Sequence, residues 1–247
     1  MTNILINIRK KRFIIESNNI KKENLVLSNL NIDIKNKEFI SIFGPSGCGK
    51  TTLLNLISGL DKDFNGSIKF DNDNSNLKKD ISYMFQSPRL FPWLTAIENI
   101  RFPIKNKKNC VSTANKLIKE VGLEKFKDHY PSKLSGGMQR RISLARAFSN
   151  NPNILLLDEP FISIDRKTAN SLKKLLINLW KKSKPIIIFV THDLNEAIEL
   201  ADRIIFLSKT PSRKVLDHKI SLKRPRKQNS RQFENLKRLL SATSNQS

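Results

Sequence analysis

The sequence predicts an α/β fold with a mostly parallel sheet, an antiparallel β portion near the N-terminus and an inserted helical subdomain. Two short runs, Phe39–Phe43 and Ile154–Leu157, are apolar throughout, which is typical of strands buried on both faces of a parallel sheet. Segments with helical apolar spacing follow such runs, and this alternation indicates a doubly wound core. A chain of 247 residues is long enough for one such domain with a subdomain.

The first half of the chain contains most of the predicted strands. Alternating apolar residues predict strands at Ile4–Ile8 and Leu30–Ile34, and the run Phe39–Phe43 predicts a buried one. Leucines at helical spacing predict a helix over Thr51–Gly59 that ends at its glycine. The polar stretch 61–79 predicts loops around a strand at Ser67–Phe70.

The second half alternates more regularly between helices and strands. Helical spacing occurs at Ser112–Val121, Arg140–Phe148, Ala169–Lys181 and Asn195–Leu200, and strand-sized apolar runs occur at Ile154–Leu157, Pro185–Val190 and Arg203–Leu207. We expect one domain over residues 1–215, with the helical subdomain at about 87–150, and a basic tail over 216–247. Four residues of the tail have the spacing of a short helix that packs on the domain: Phe233, Leu236, Leu239 and Leu240.

The composition excludes some classes of protein and leaves others open. No apolar run approaches the roughly eighteen residues that a membrane span needs, and Cys48 and Cys110 are too few for a disulfide framework. We therefore expect a soluble cytoplasmic protein. The chain has 45 basic and 22 acidic residues, a net charge of +23. This excess indicates either an anionic partner, such as nucleic acid or a membrane surface, or merely a lysine-rich composition.

The residues GPSGCGKT after Phe43 form a phosphate-binding pattern, with a strand predicted before them and a helix after them. Glycines let main-chain N–H groups approach phosphate oxygens, the lysine neutralises their charge and the threonine hydroxyl is a ligand for Mg²⁺. The pattern predicts the nucleotide-binding loop of a P-loop NTPase that uses ATP and Mg²⁺. Its candidate binding residues are Gly44, Pro45, Ser46, Gly47, Cys48, Gly49, Lys50, Thr51 and Thr52.

Two further motifs complete this prediction. In ILLLDEP, Asp158 stands at the end of a predicted strand, where it would hold Mg²⁺, and Glu159 would polarise the attacking water. In LSGGMQ, the small residues Ser135, Gly136 and Gly137 precede a predicted helix, which indicates a second anion site. One nucleotide rarely needs two such sites within one chain. Two copies arranged head to tail would use both.

Together with Gln86 and His192, these motifs resemble the ATP-binding subunit of ABC transporters from about Ile4 to Leu207. The resemblance implies that Ser135 and Gly137 contact the γ-phosphate bound by the opposite copy. It implies that Gln86 reaches Mg²⁺ and the attacking water, and that His192 contacts the γ-phosphate. Asp165 matches the aspartate of the loop that crosses the dimer interface. Phe13 matches the aromatic residue that stacks on adenine, or it is a core residue.

The sequence departs from the family pattern at two places. Lys37 stands where a glycine is usual, which affects a turn. The interface loop reads Ile162-Ser163-Ile164-Asp165, so it keeps its aspartate but has a bulkier residue at Ile162. No catalytic position is lost, and we expect an active ATPase.

The stretch FQSPRLFPWLTAIENI, Phe85–Ile100, contains two prolines, two phenylalanines and a tryptophan. Proline excludes it from a central strand or a helix interior, while the resemblance makes it the groove that receives a helix of the membrane permease. We therefore expect two permease subunits to dock near Ser87–Ile100, with Phe91 or Trp93 facing them. The alternative is that these aromatics cover the subdomain core.

SPRLFPWLT and the tail residues KRPR (Lys223–Arg226) are similar to importer subunits for nitrate, sulfonate or taurine, and importers of thiamine precursors and other aromatic substrates share this pattern. The resemblance implies a peripheral subunit on the cytoplasmic face of the plasma membrane that works with a solute-binding protein. ABC-type ATPases that act on nucleic acid, in DNA repair or translation, are the alternative. Those proteins usually carry long coiled-coil insertions, zinc modules or tandem domains, which this sequence lacks, and we expect no nucleic-acid partner.

Overall fold

The computed structural model describes residues 3–17, 20–70 and 80–244. The chain divides into two compact units. The first unit consists of Met1–Lys78 and Ile186–Ser247, and the second of Lys79–Pro185. The predicted loop stretch at 71–79 lies outside the described residues.

The first unit contains seven described strands and three helices. The strands are β1 (Ile4–Ser17), β2 (Ile20–Ile34), β3 (Phe39–Phe43), β4 (Asn65–Phe70), β7 (Ile186–Thr191), β8 (Arg203–Leu207) and β9 (Lys214–Lys219). The helices are α1 (Lys50–Ser58), α6 (Leu194–Leu200) and α7 (Arg231–Ser244).

The antiparallel sheet of the first unit has the order β2-β1-β4. Ile4, Ile6 and Ile8 are buried and alternate with exposed residues, as expected for a sheet with one face on a core. Their partners on β2 lie in register, Ile4 opposite Ile34 and Ile8 opposite Leu30. The antiparallel portion predicted near the N-terminus is therefore present.

The parallel strands of the first unit surround β3. This strand pairs in parallel with β7 on one side and β8 on the other, and β9 extends β8 in antiparallel direction. Every residue of β7 is buried. The phosphate-loop sequence begins directly after β3, and α1 starts at Lys50, seven positions after the end of β3.

The second unit contains two parallel strands, β5 (Ile81–Met84) and β6 (Ile154–Asp158). Its helices are α2 (Ala96–Arg101), α3 (Cys110–Glu120), α4 (Gly136–Phe148) and α5 (Arg166–Ser183). All five residues of β6 are buried, and α4 packs against α2, α3, α5 and β5. The elements predicted in this unit agree with these bounds to within about four residues, whereas β1 and β2 of the first unit extend nine and ten residues beyond the strands predicted there. The proposed subdomain limits at 87 and 150 and the tail limit at 216 stay predictions.

The predicted tail helix is present as α7, which packs against α6 and β9. Phe233 and Leu240 are buried, while Leu239 is exposed. Among the described residues, no helix is long and apolar enough to cross a membrane.

Candidate functional site

The predicted phosphate loop has the backbone that close approach to an anion requires. Gly47 and Gly49 have φ values of +78° and +95°, a region that side chains with a Cβ rarely adopt. Gly49 is the N-cap of α1, so the helix begins directly after the loop and the N–H groups of its first turn face the loop. Lys50 is buried, and its Nζ donates to the carbonyl oxygens of Gly44 and Pro45 at 2.9 Å each. This arrangement fits a bound di- or triphosphate.

The loop is packed tightly on the rest of the first unit. A Cβ on Gly49 would lie 2.6 Å from Val26 Cγ1, which is a second reason for glycine there. The hydroxyl of Ser212 donates to the carbonyl oxygen of Cys48, and that of Thr210 donates to Gly47 at 3.0 Å. Cys48 is 1% exposed, and burial raises the pKa of its thiol. It is therefore a small packing residue of the loop and a poor nucleophile near neutral pH.

Two other predicted residues belong to the first unit. His192 follows β7 and is exposed. The next residue, Asp193, caps α6 by accepting from Asn195 N at 2.7 Å. Phe13 on β1 is 41% exposed, and the Lys11 ammonium lies 4.5 Å from its ring centroid. Its exposure disfavours the core alternative, while the stacking role stays a prediction.

The second unit contains the other predicted catalytic residues. Asp158 is the buried last residue of β6, and Glu159 follows it with a φ of +42°. Such a left-handed conformation costs roughly 1–2 kcal/mol for a residue other than glycine, so the surrounding contacts hold it. Gln86 is exposed two positions after the end of β5.

The sequence alone did not single out Tyr83 on β5. Its hydroxyl lies 3.5 Å from Asp158 Oδ2, and its ring stacks on Phe85 at a centroid distance of 4.2 Å. Burial, with the Asp158 charge, raises the pKa of Tyr83, so the phenol stays protonated and can donate to that carboxylate. The motif ILLLDEP gives no signal for a partner 75 positions away.

The LSGGMQ motif forms the N-terminus of α4. Ser135 is the N-cap, and its hydroxyl accepts from Met138 N at 3.3 Å. Gly136 has open space where a Cβ would stand, whereas a Cβ on Gly137 would lie 2.8 Å from Thr168 Cγ2 on α5. The small residues thus serve two purposes: one keeps the turn accessible, and the other lets α4 approach α5.

The predicted interface loop leads into α5. Asp165 is the N-cap of this helix, accepting from Thr168 N at 2.9 Å. Hydrogen bonds from Thr168 lower the pKa of the Asp165 carboxyl. Ser163 has a φ of +56°, and Ile162 and Ile164 are half-buried.

Comparisons with known proteins agree with this geometry. A family profile described as "ABC transporter" matches residues 27–162, which is more than half of the chain. The chain belongs to the ABC transporter family. The aliphatic sulfonates import ATP-binding protein SsuB of Bacillus cereus is 42% identical over 217 residues, which cover 86% of each chain.

Two further ABC proteins support the assignment. An uncharacterized ABC transporter ATP-binding protein of Methanocaldococcus jannaschii, MJ0412, is 42% identical over 84% of this chain and 79% of its own. The solved dimer of the ATP-binding cassette MJ0796 in a post-hydrolysis state with ADP and Pi matches with a TM-score of 0.74 and 34% identity, over 90% of this chain and 100% of that one. The predicted α/β P-loop NTPase fold and the predicted family are confirmed, and the chain carries an ABC-type ATPase domain.

The stretch Phe85–Ile100 of this ABC ATPase is an ordered loop followed by α2. Asn99 is fully buried and exchanges hydrogen bonds with the main chain of Phe91, donating also to Leu94 and Thr95. Thr95 and Glu98 form a capping box at the start of α2. The loop therefore has a defined shape although its two prolines exclude regular structure.

Three aromatics of this loop and α2 form a cluster, which we call the aromatic patch: Phe91, Trp93 and Phe102. Phe91 lies at the centre, 5.5 Å from Trp93 and 4.7 Å from Phe102 between ring centroids. Trp93 is 69% exposed and Phe102 62%. The alternative that these residues cover the core is therefore wrong for Trp93, while half-buried Phe91 supports the patch from beneath.

The basic residues of this ABC ATPase are partly internal. Lys11, Lys50, Arg140, Lys173 and Arg226 are all buried. In the tail, Arg226 donates to Ile198 and Ala201 at the end of α6, and Arg224 forms a 2.8 Å ion pair with Asp202. KRPR is therefore folded against α6, where its guanidinium groups satisfy carbonyls that a helix end leaves unpaired.

Proposed function

We propose that this chain is the ATP-binding and ATP-hydrolysing subunit of an ABC importer, and that two copies bind two ATP molecules head to tail. The observation that carries the proposal is the pair of anion-type helix N-termini within one chain: α1 behind the glycine loop with Lys50, and α4 capped by Ser135. Solved structures of the ATP-binding cassette MJ0796, which resembles the chain, are dimeric, which supports the pairing.

Each predicted site residue receives a role in this proposal. The loop residues from Gly44 to Thr52 bind the phosphates, Phe13 stacks on adenine, and Ser135, Gly136 and Gly137 contact the γ-phosphate of the opposite copy. Glu159 is the general base, His192 and Gln86 respond to the γ-phosphate, and Asp165 belongs to the dimer interface. Thr51, Gln86 and Asp158 would hold Mg²⁺, which neutralises phosphate charge when bound.

The membrane partner in this proposal is a pair of permease subunits that dock on the aromatic patch. Exposed aromatics on a shaped loop are the usual anchors of protein interfaces, and Trp93 and Phe102 supply them. The subunit therefore works peripherally on the cytoplasmic face of the membrane, and a solute-binding protein delivers the cargo to the permease.

We infer a small organic or inorganic anion as the cargo, with sulfonates first and nitrate or taurine next. Several relatives about 40% identical carry aliphatic sulfonate import in their names, which supports this order. The ATPase subunit does not contact the solute in this scheme. The proposal on cargo therefore depends on the relatives and on the stretch SPRLFPWLT.

Reconstitution with the permease tests the proposal. The chain is incorporated with its permease subunits and solute-binding protein in proteoliposomes. Uptake of labelled ethanesulfonate, taurine and nitrate is then measured with ATP enclosed in the vesicle lumen. We expect ATP-dependent uptake of at least one anion, and none with Lys50→Ala. Uptake that proceeds without ATP, or an intact complex that hydrolyses ATP but moves none of the three, would contradict the importer or the cargo assignment respectively.

A further inference from the structure

Arg140 on α4 binds two separate loop segments of the second unit through three carbonyl oxygens. Its Nη1 donates to the carbonyl oxygens of Gln86 at 3.1 Å and Pro160 at 3.2 Å, and its Nη2 donates to Ile162 at 2.7 Å. The Gln86 carbonyl belongs to the segment after β5, and the other two belong to the single loop between β6 and α5. One side chain therefore links the neighbourhoods of Gln86, Glu159 and Asp165.

The bonds to Pro160 and Ile162 hold a turn with an unfavourable backbone. Pro160 and Ile162 lie between Glu159 and Ser163, whose φ values are +42° and +56°. Left-handed residues other than glycine persist where neighbouring contacts determine the conformation. The guanidinium fork supplies such contacts on the inner side of this turn, and Ile162 N also donates to the Glu159 carbonyl at 3.2 Å.

Because Arg140 is buried, its hydrogen bonds are important for the conformation of the loop between β6 and α5. The Arg140 side chain is buried, and the loss of hydration lowers the pKa of its guanidinium from the usual value. A buried guanidinium needs hydrogen-bond acceptors to offset the loss of water, so the three carbonyls and the arginine depend on each other. A shorter or neutral side chain would leave the buried Pro160 carbonyl without this donor and would remove the part-buried bonds to Gln86 and Ile162.

We propose that Arg140 is a positioning residue for ATP hydrolysis, which sets the main-chain position of Glu159 and Gln86 from the same helix that begins with Ser135. The inference rests on the proposed function, since Glu159 and Gln86 act on the attacking water there. Because Arg140 lies little more than one helical turn after Ser135, and Gly137 packs against Thr168, the serine-glycine turn and the catalytic turn share one rigid support.

The test compares Arg140→Gln with the wild-type chain in soluble MgATP hydrolysis. We expect kcat to fall by about ten- to a hundredfold, with the KM for ATP and the affinity for a non-hydrolysable ATP analogue changed less than about twofold, because the phosphate loop is not touched. Arg141→Gln is the matched control. Arg141 lies on the same helix and donates to Ser171 at 2.9 Å and to Val121, so its loss should leave kcat within about twofold.

A double-mutant cycle separates positioning from general damage. In the Glu159→Gln background, Arg140→Gln should lower the residual rate by a smaller factor than in the wild-type background, because the orientation of a side chain that cannot act as a base no longer matters and only the effect through Gln86 is left. The same loss in both backgrounds, or an unchanged kcat in the single variant, would overturn the inference.

Two controls keep the result interpretable. If Arg140→Gln does not fold, as judged by circular dichroism, Arg140→Lys replaces it, and a wild-type kcat in that variant would also overturn the inference, since an ammonium lacks the fork that reaches all three carbonyls. A wild-type chain that does not hydrolyse ATP would instead contradict the proposed function.

Discussion

Cys48 is a buried residue of the phosphate loop, and its packing limits what the loop can accommodate. Its thiol is buried against Gly44, so a bulky adduct would force the loop apart. Because burial raises its pKa, little thiolate exists near neutral pH. Cys110 is half-buried and lies in the second unit, which makes it the internal comparison.

We predict that N-ethylmaleimide modifies Cys110 before Cys48 and that ATP binding falls only as Cys48 reacts. Mass spectrometry of each site alongside binding of a fluorescent ATP analogue measures both. The Cys110→Ser variant isolates the slow site and should follow the same course for Cys48. Complete modification of Cys48 with ATP affinity unchanged would show that the loop tolerates the adduct.

Lys37 is one departure from the family pattern, and its backbone shows what the departure costs. It has a φ of +61°, the conformation for which glycine has no steric cost, so the family's usual glycine suits this turn better than lysine does. We predict that Lys37→Gly raises the free energy of unfolding by roughly 0.5–1 kcal/mol, the left-handed cost less the extra entropy of glycine.

Urea unfolding followed by circular dichroism measures this difference. Lys35→Gly is the control two positions earlier in the same exposed turn, and its φ is not in the left-handed region. It should lower the free energy of unfolding by roughly 0.5–1 kcal/mol. Equal effects of the two substitutions would contradict the backbone explanation.

At the scale of elements, the loop before α2 combines a rigid frame with an exposed surface. Asn99 from α2 and Arg146 from α4 both bind its main chain, the latter through Pro88 and Arg89 at 2.8 Å each. Neither residue was singled out from the sequence. The frame leaves Trp93 pointing away from the second unit, where it adds little to folding.

We predict that Trp93→Ser lowers ATP-driven uptake by the assembled transporter by about tenfold or more, as the loss of an aromatic anchor does at other interfaces. Soluble ATP hydrolysis and thermal stability should stay near the wild-type values. Tyr130→Ser removes another exposed aromatic of the same unit and should leave uptake intact. Wild-type uptake with Trp93→Ser would remove the patch from the permease interface.

The elements that the sequence predicted well are those buried on both faces. Phe39–Phe43 and Arg203–Leu207 have the predicted bounds, because each reads as an apolar run. The strand β9 was missed because its sequence, KVLDHK, contains no apolar run, and most of its residues are exposed. The short helix α2 was also missed because its six residues allow fewer than two turns of periodicity.

The residues of the candidate site also fall into those that the sequence predicts and those that it does not. Its motif residues were predictable because each motif is contiguous and its chemistry requires particular residue types. Arg140, Asn99 and Tyr83 were not predictable, since their partners are mostly main-chain groups or a residue distant in the sequence. A carbonyl acceptor leaves no trace in the residue pattern, so only the structure identifies such contacts.

At the scale of the whole molecule, the net charge of +23 includes cations with structural partners. Arg203 donates from Nε to Asp217 at 2.5 Å and from Nη2 at 2.7 Å, and its Nη1 donates to the Asp33 carbonyl at 2.7 Å. The hydrogen bonds from Arg203 hold the pKa of Asp217 below its usual value. This bidentate pair joins β8, β9 and the end of β2 within the first unit.

A carboxyl with a lowered pKa stabilises the folded state above its unfolded pKa of about 3.9 and loses that contribution as the pH falls through the folded value. We predict that Asp217→Asn lowers the free energy of unfolding at pH 7 by roughly 1 kcal/mol, allowing for solvent screening. The difference from wild type should shrink as the pH falls below about 4. Urea unfolding across this range measures it, and a difference that does not vary with pH would exclude the ion pair as its source.

The central claim, that this ABC-type chain hydrolyses ATP through Glu159 in a head-to-tail dimer, is tested most directly by Glu159→Gln. Hydrolysis of MgATP and the molecular mass in solution with ATP are measured for this variant, the wild-type chain and Lys50→Ala. We predict that Glu159→Gln binds ATP, hydrolyses it at least about a hundredfold more slowly and accumulates as a dimer, whereas Lys50→Ala loses most of its nucleotide affinity. Wild-type turnover by Glu159→Gln would contradict the claim.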